Sequence, residues 1–310
     1  MVRYRAGTRD DLPSTPSFKN DYARAGALAL SLSSKVWFTH GCRESLHFNK
    51  SPFPKYCWPG NLATLAALML ELWNNHRLPI TRIPMANESE KEMAALASLK
   101  YVHDGQIVGL GSGSTATIAI RLLAERVRAG LKIRGIPTSV QSRDLALQLG
   151  IPLTTFDEYQ EIDVTIDGAD EFDPDLNLIK GGGGAMLREK VVASASKQLV
   201  IVTDSSKQVP ALGRFPLPVE VIGFAEPLVA KKITDVGAIV ARRCDSSGRA
   251  YLTDESHHIL DCRFGEISDP PALARALSDM PGLVEHGLFV GMASVVLMAK
   301  AGTVVEFRRP

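Results

Sequence analysis

The chain has 310 residues, of which 45% are hydrophobic and 22% charged, the composition of an ordinary globular protein. Its formal net charge is only +1, so no overall excess of charge favours nucleic acid or an anionic membrane surface. Any anion that the protein binds must therefore be held by a local group of residues.

Residues 1–85 differ in character from the rest of the chain, because they carry seven prolines and no sustained helical or strand period. The apolar run at residues 62–73 is too short to cross a membrane and contains Glu71. We predict a poorly ordered N-terminal extension, residues 1–85. Its arginines fit an organelle transit peptide, whereas its early aspartates argue against one. We expect a cytoplasmic protein and keep organelle targeting by this extension as an alternative.

From Asn87 onwards, apolar helical patterns alternate with short apolar runs. A helix capped by Asn87 or Ser89, with Leu96 on or near its apolar face, leads into this pattern. Later helices are ended by Gly130 and Gly150. Near-continuous apolar strands between helices are typical of a parallel sheet covered on both faces. We predict an α/β fold with a doubly wound, mostly parallel, Rossmann-like sheet.

The rhythm changes near Pro216 to strand, helix, strand, hairpin turn, strand, helix, strand. This is the order of a ferredoxin-like α+β unit. We predict a small domain at residues 218–287. The remaining residues, 86–217 plus 288–310, form the predicted catalytic α/β domain, because the two last strands, at 294–307, can rejoin the first sheet.

The first candidate site is the turn GLGSGSTA, residues 109–116, between a strand and a helix. Glycines allow close backbone approach, and the hydroxyls of Ser112, Ser114 and Thr115 lie where a helix N-terminus favours negative charge. The same pattern also fits a merely tight strand-to-helix turn.

The second is the acidic turn DGADE, residues 167–171, which follows a strand at the edge where α/β sheets bind ligands. Three neighbouring carboxylates repel one another unless hydroxyl groups or cations meet them. The alternative is an Asx turn with solvated acids.

The third and strongest signal is IKGGGGAMLREK, residues 179–190, with four consecutive glycines. Such a run is costly in backbone entropy, so its presence indicates close approach of a ligand or another backbone. Glu189 lies on the helix that follows the glycines. On its own, Glu189 would be read as an ordinary surface acid paired with Lys190 or Arg188, but the glycine loop and the acidic turn upstream weigh against that reading.

The fourth signal is TDSSKQV, in which Lys207 follows an apolar strand. Alone, Lys207 fits an exposed loop lysine. All four loops, however, lie beyond the same carboxyl edge of the predicted sheet, and this convergence favours one shared site.

Four segments of the chain closely resemble the motif series of the ribose-5-phosphate isomerase type A family, namely GLGSGSTA, IDGADEFD, LIKGGGGAMLREK and TDSSKQV. LGRFPLPVEVI, ILDCRFGEISDP and MPGLVEHGLFV also resemble that family. The resemblance covers about Asn87 to Pro310, and residues 1–85 match nothing in it. It implies an aldose–ketose isomerase that interconverts D-ribose 5-phosphate and D-ribulose 5-phosphate through an enediolate, in the non-oxidative branch of the pentose phosphate pathway.

The resemblance also implies the site residues. Glu189 matches the catalytic base, and we expect burial to raise its pKa toward neutrality. Lys91 lies where members often carry a phosphate-contacting lysine. The other matching positions are Ser112, Gly113, Ser114 and Thr115; Asp167, Gly168, Ala169 and Asp170; Lys180, Gly181, Gly182 and Gly183; and Lys207. Ser112 stands where many members have threonine, which keeps the hydroxyl.

The resemblance implies no metal, no organic cofactor, a pentose 5-phosphate substrate and a homodimer or homotetramer. The four cysteines agree with the lack of a metal, because none forms a C-x-x-C pair or another cluster with metal-ligand spacing. We expect neither nucleic acid nor membrane as a partner.

Two other functions compete with the isomerase. A non-catalytic sugar-phosphate sensor would need a DNA-reading helix-turn-helix, and residues 1–85 show no paired amphipathic helices with basic recognition residues. A nicotinamide-dependent oxidoreductase is disfavoured by the irregular glycine spacing and by Thr138 and Ser139, which stand where an acid would bind ribose.

Overall fold

The computed structural model describes residues 86–309. The predicted extension, residues 1–85, lies outside that range. The helices are α1 (Ala86–Ser98), α2 (Gly113–Arg128), α3 (Val140–Leu149), α4 (Met186–Ser194), α5 (Glu226–Asp235) and α6 (Pro270–Ser278). The strands are β1 (Ile107–Leu110), β2 (Arg134–Pro137), β3 (Val164–Asp167), β4 (Glu171–Phe172), β5 (Leu178–Ile179), β6 (Leu199–Asp204), β7 (Leu217–Val221), β8 (Ile239–Arg242), β9 (His258–Arg263), β10 (Leu283–His286), β11 (Leu288–Phe289), β12 (Val295–Lys300) and β13 (Thr303–Arg308). Within this part of the chain, every helix is too short or too polar to cross a bilayer.

Six strands form the main sheet, in the order β13-β12-β6-β3-β1-β2. Five of them are parallel, and β13 pairs antiparallel with β12 at one edge. In β6, Val200 and Val202 pack in the cluster that includes residues of α1, α2 and α3, whereas Leu199 and Ile201 pack in a cluster on the opposite face. Burial on both faces explains why these strands are continuous apolar runs. The predicted doubly wound sheet is confirmed.

Local signals set most helix ends as expected. The Ser139 hydroxyl caps α3 by accepting a hydrogen bond from the Ser142 N–H, and Gly150 ends the same helix with a φ of 79°. The first helix is different, since it begins at Ala86, before the two predicted capping residues. The prediction for Leu96 was wrong as well, because it is 60% exposed while the buried face of α1 runs through Ala94 and Ala95.

Four further strands form a separate antiparallel sheet, in the order β10-β7-β9-β8. This is the ferredoxin-like order predicted from the sequence, and α5 and α6 connect its strands. The turn expected before β9 is present, with the Gly248 N–H donating to the Asp245 carbonyl at 3.0 Å. We keep residues 218–287 as the proposed small domain, because these bounds nearly coincide with the start of β7 and the end of β10.

A third sheet was not predicted. It has the order β11-β5-β4, and each of its strands is two residues long. The sheet fixes the start of the glycine loop, because β5 ends at Ile179 and the next residue, Lys180, donates its N–H to the Gly287 carbonyl at 2.9 Å. Lys180 is therefore held between the end of β5 and the chain that joins β10 to β11.

Candidate active site

The turn between β1 and α2 fits closely against the end of β3. A Cβ on Gly111 would collide with the Asp167 side chain and the Ile166 carbonyl, so only glycine allows this approach. Gly113 opens α2 with a φ of 86°. This arrangement places Ser114 in the first turn of α2, where it faces the N-terminal end of the helix dipole.

The acidic turn is organised by backbone donors. Asp167 is 1% exposed, and its Oδ1 accepts hydrogen bonds from the N–H groups of Ser112 at 3.0 Å and Gly168 at 2.7 Å. Asp170 lies nearer the surface, and its Oδ2 accepts a hydrogen bond from the Gly182 N–H at 2.7 Å. The two aspartates therefore tie the acidic turn to different loops.

At the centre of the site lies a buried lysine between two carboxylates. The Lys180 Nζ lies 3.0 Å from Asp167 Oδ2 and 3.3 Å from Glu189 Oε2, and it donates to the Gly168 carbonyl at 2.6 Å. Lys180 is 3% exposed and Glu189 is 5% exposed. Glu189 is thus not a solvated surface acid, and the reading that paired it with Arg188 or Lys190 does not apply. Arg188 and Lys190 pair with Glu255 and Glu285 instead.

Burial sets the protonation chemistry of this cluster. It raises the pKa of Glu189 from an ordinary 4.5 to about 7; the charge of Lys180 opposes this rise and the charge of Asp167 adds to it. Burial alone would lower the pKa of Lys180, but the carboxylates of Asp167 and Glu189 outweigh burial and raise it. Lys180 therefore stays charged, while Glu189 can gain or lose a proton near neutral pH.

One oxygen of Glu189 is buried beside Lys180 without a full hydrogen bond from the described part of the chain. Its Oε2 is buried, and the 3.3 Å contact with Lys180 lacks hydrogen-bond geometry, so this oxygen has no hydrogen-bond partner among residues 86–309. A buried acceptor without a partner is energetically unfavourable, and such groups concentrate at functional sites. The Glu189 carboxyl group lines the cleft, where it can accept a proton from a bound molecule.

One cleft is lined by thirteen of the predicted substrate-binding residues and by Glu189, the predicted base. They are Lys91, Ser112, Gly113, Ser114, Thr115, Gly168, Ala169, Asp170, Lys180, Gly181, Gly182, Gly183, Glu189 and Lys207. Asp167 is the predicted residue that does not line it, because it lies behind Lys180. Glu189 and Lys180 lie at the inner end, whereas Lys91 lies at the outer end and donates to Ser114 Oγ at 3.1 Å.

Volume alone would not identify this cleft. It holds about 110 Å³, whereas a cavity of about 720 Å³ lies at the opposite edge of the main sheet, lined by residues such as Gly105 and Lys132 that precede the strands. The carboxyl edge carries the convergent polar groups and the perturbed acid, and these features mark the site. No group of three or more potential metal ligands occurs within residues 86–309.

Three supporting residues were missed by sequence reasoning. Thr138 and Ser139 follow β2 at the same edge, and the Ser112 hydroxyl lies 2.7 Å from each of their hydroxyls. Their position after a strand was a signal for this role. Phe289 is fully buried, with its ring centre 5.4 Å from the Lys180 Nζ, and nothing in the sequence pointed to that contact.

Known proteins resemble this chain over most of its described length. A family model described as ribose 5-phosphate isomerase A (phosphoriboisomerase A) matches residues 134–303. The ribose-5-phosphate isomerase A of Bradyrhizobium diazoefficiens is 50% identical over 232 residues, which cover 71% of this chain and 96% of that protein. That of Parvibaculum lavamentivorans is 47% identical over 220 residues, with coverages of 69% and 95%.

Solved structures agree with these relatives. A D-ribose-5-phosphate isomerase in complex with phospho-erythronic acid has a TM-score of 0.71 and 35% identity, and the match covers 73% of this chain and 100% of that one. The ribose 5-phosphate isomerase A of Methanocaldococcus jannaschii has a TM-score of 0.69 and 39% identity, with coverages of 71% and 99%. The residues that match the family model, 134–303, include the acidic turn, the glycine loop, Glu189 and Lys207, whereas Lys91 and residues 112–115 of the cleft precede them.

Proposed function

The chain belongs to the ribose 5-phosphate isomerase A family of aldose–ketose isomerases, and from this premise we propose that Glu189 is the base of the reaction. The reaction interconverts D-ribose 5-phosphate and D-ribulose 5-phosphate. The observation that carries the proposal is a buried carboxylate at the inner end of the cleft, 3.3 Å from the Lys180 ammonium and with a pKa raised to about 7. A general base is most effective when its pKa lies near the working pH.

In the proposed mechanism, ionised Glu189 removes the proton from C2 of the open-chain aldose, and an enediolate forms. The same carboxyl group then delivers that proton to C1, while the proton on O2 moves to O1. One carboxylate can serve both carbons because they lie on one face of a cis-enediolate. The ketose leaves and Glu189 is ionised again, so no net proton is gained or lost.

Lys180 and the glycine loop supply the positive partners for the enediolate oxygens. A buried, charged lysine and backbone N–H groups interact strongly with developing negative charge in a site that excludes water. Asp170 lines the cleft and is suited to orient sugar hydroxyls and relay the oxygen-bound proton. We assign Asp167 a different role, which is to hold Lys180 from behind, because it does not reach the cleft.

The phosphate group belongs at the outer end of the cleft. Ser114 and Thr115 lie in the first turn of α2, and Lys91 and Lys207 approach from two other elements. This combination of hydroxyls, cations and a helix N-terminus suits a phosphate. The solved relative holds phospho-erythronic acid, which carries a carboxylate and a phosphate, and a carboxylate has the planar two-oxygen form of an enediolate. We therefore place the phosphate of a ligand at the outer end of this cleft and its planar two-oxygen group beside Lys180 and Glu189.

The deciding experiment compares Glu189→Gln with the wild type in an assay of ribose 5-phosphate isomerisation. We expect kcat to fall on the order of 10³-fold or more, since glutamine cannot accept the proton, while substrate still protects the variant against thermal unfolding. Glu161→Gln is the matched control, because the Glu161 side chain is 78% exposed and does not line the cleft. The activity of this variant should equal that of the wild type.

Near-normal turnover in Glu189→Gln would remove Glu189 from the role of base. Sugar-phosphate binding by a wild type without turnover would instead favour the non-catalytic sensor, which the relatives do not favour.

We propose in addition that the protein is a homodimer or homotetramer and that it is located in the cytoplasm. Support for self-association comes from Phe224, in the short 3₁₀ turn before α5, and Leu228, in the first turn of α5, which are 97% and 55% exposed. A side chain as large and apolar as Phe224 that is almost fully exposed is typical of an interaction surface. Light scattering on the full chain measures the oligomeric state directly.

A further inference from the structure

The glycine loop is held from outside the cleft by residues of the four-stranded sheet unit. The Arg243 Nη1 donates to the carbonyls of Gly181 at 3.0 Å and Gly182 at 3.1 Å. The Tyr251 hydroxyl donates to the Gly183 carbonyl at 3.3 Å. Three consecutive carbonyls of a loop that lines the cleft are therefore bound by two side chains that do not line it.

Arg243 is itself fixed in place. Its Nε donates to Asp261 Oδ2 at 3.0 Å, and its Nη2 pairs with the other oxygen of the same carboxylate. The Arg243 side chain is only 14% exposed, and its guanidinium carbon lies 5.9 Å from the centre of the Tyr251 ring. A bidentate ion pair of this kind holds the planar guanidinium in one orientation.

Holding a carbonyl also orients the N–H on the other side of the same peptide. Because a trans peptide is planar, its C=O and N–H point in opposite directions. The Gly182 carbonyl faces Arg243, so the Gly183 N–H points away from it. That N–H has no hydrogen-bond partner among residues 86–309, whereas the Gly182 and Gly184 N–H groups donate to Asp170 and to the Gly181 carbonyl.

We propose that Arg243, held by Asp261, is a positioning residue for the isomerase reaction. By binding the glycine loop, Arg243 aims the Gly183 N–H at an oxyanion of the bound sugar. Four consecutive glycines sample many backbone conformations, and only an external contact restricts them to the one that presents this donor. The inference rests on the proposed role of the glycine loop in binding the substrate. It gives the four-stranded sheet unit a part in catalysis.

The test is Arg243→Ala in the full chain, assayed for pentose isomerisation. We expect kcat to fall about 10- to 100-fold with a smaller change in KM, because a misplaced oxyanion donor weakens mainly the transition state. Added guanidinium ion should restore part of the lost kcat by occupying the vacated site. Arg243→Lys keeps the charge but not the fork, and we expect an intermediate loss.

Arg242→Ala is the matched control. Arg242 precedes Arg243 in the sequence, but its side chain is 51% exposed and pairs with Glu226 rather than with the glycine loop. This variant should keep wild-type kcat and should not respond to guanidinium.

Two results would overturn the inference: a kcat for Arg243→Ala within twofold of the control, or a loss that guanidinium does not restore and that matches the loss of folded protein. If Arg243→Ala does not fold, the same comparison applies to Arg243→Lys and Tyr251→Phe, with Arg242→Lys as control. An inactive wild type would instead count against the proposed function.

Discussion

The two ends of the cleft are built differently. At the inner end, Lys180 and Glu189 are 3% and 5% exposed and lie in direct contact with each other. At the outer end, Ser114 is exposed and Lys91 reaches it from another helix. Charges interact strongly where water is excluded and weakly where water and salt screen them. We therefore expect the residues of the inner end to govern kcat and those of the outer end to govern substrate affinity.

The largest effect after removal of the base itself should come from Lys180→Met. This substitution leaves Asp167 and Glu189 as buried carboxylates without a cation, and uncompensated buried charge destabilises a fold by about 3 kcal/mol or more. We expect that loss in the free energy of unfolding, measured by urea denaturation near neutral pH. Steady-state kinetics should show kcat reduced by about 10²-fold, since the cation that faces the enediolate is also lost.

Lys231→Met is the control for that substitution. The Lys231 side chain is 70% exposed and pairs with Asp235 one helical turn away, so the change should alter stability by less than about 0.5 kcal/mol. If Lys180→Met were as stable and as active as this control, the inner end would not depend on its buried cation, and the contrast between the two ends would be wrong.

A second effect concerns the pH dependence of the inner end. Glu189 acts as a base only when ionised, so kcat/KM, which reports the enzyme without substrate, should fall about tenfold per pH unit below the pKa of about 7. A pH–rate profile recorded between pH 5 and about 8 measures this limb. A flat profile across neutral pH would show that the ionisation of Glu189 does not control the chemistry.

The same shift has a consequence for stability, with a fixed sign. The pKa of Glu189 is higher in the folded state, about 7, than its ordinary 4.5, so the folded protein binds more protons between these pH values. The contribution of Glu189 to stability is therefore full below pH 4.5 and is lost as the pH rises through about 7. Glu189→Gln should lack this slope, since glutamine does not titrate.

Much of this arrangement could be predicted from the sequence, because glycine runs and polar residues at strand ends are local signals. The position of Glu189 after four glycines, and the placement of Lys207 after an apolar strand, needed only those signals. The rest depends on contacts between distant residues. β4, β5 and β11 are two residues long, too short for any periodic pattern, and Arg243 meets Gly181 from 62 positions away. Asp167 carries no local sign that it lies behind Lys180 rather than in the cleft.

The smallest expected effect lies at the outer end, where Lys91→Ala should raise KM about fivefold and leave kcat within about twofold, because a half-buried cation at the open end of the cleft contributes binding rather than transition-state stabilisation. Lys100→Ala is the control, since Lys100 does not line the cleft and pairs with Glu306. The salt dependence sharpens the assignment: near 1 M salt, where charges are screened beyond about 3 Å, the KM values of wild type and Lys91→Ala should converge. A fall in kcat as large as the rise in KM would mean that Lys91 also takes part in the proton transfer, and the two ends would then act as one unit.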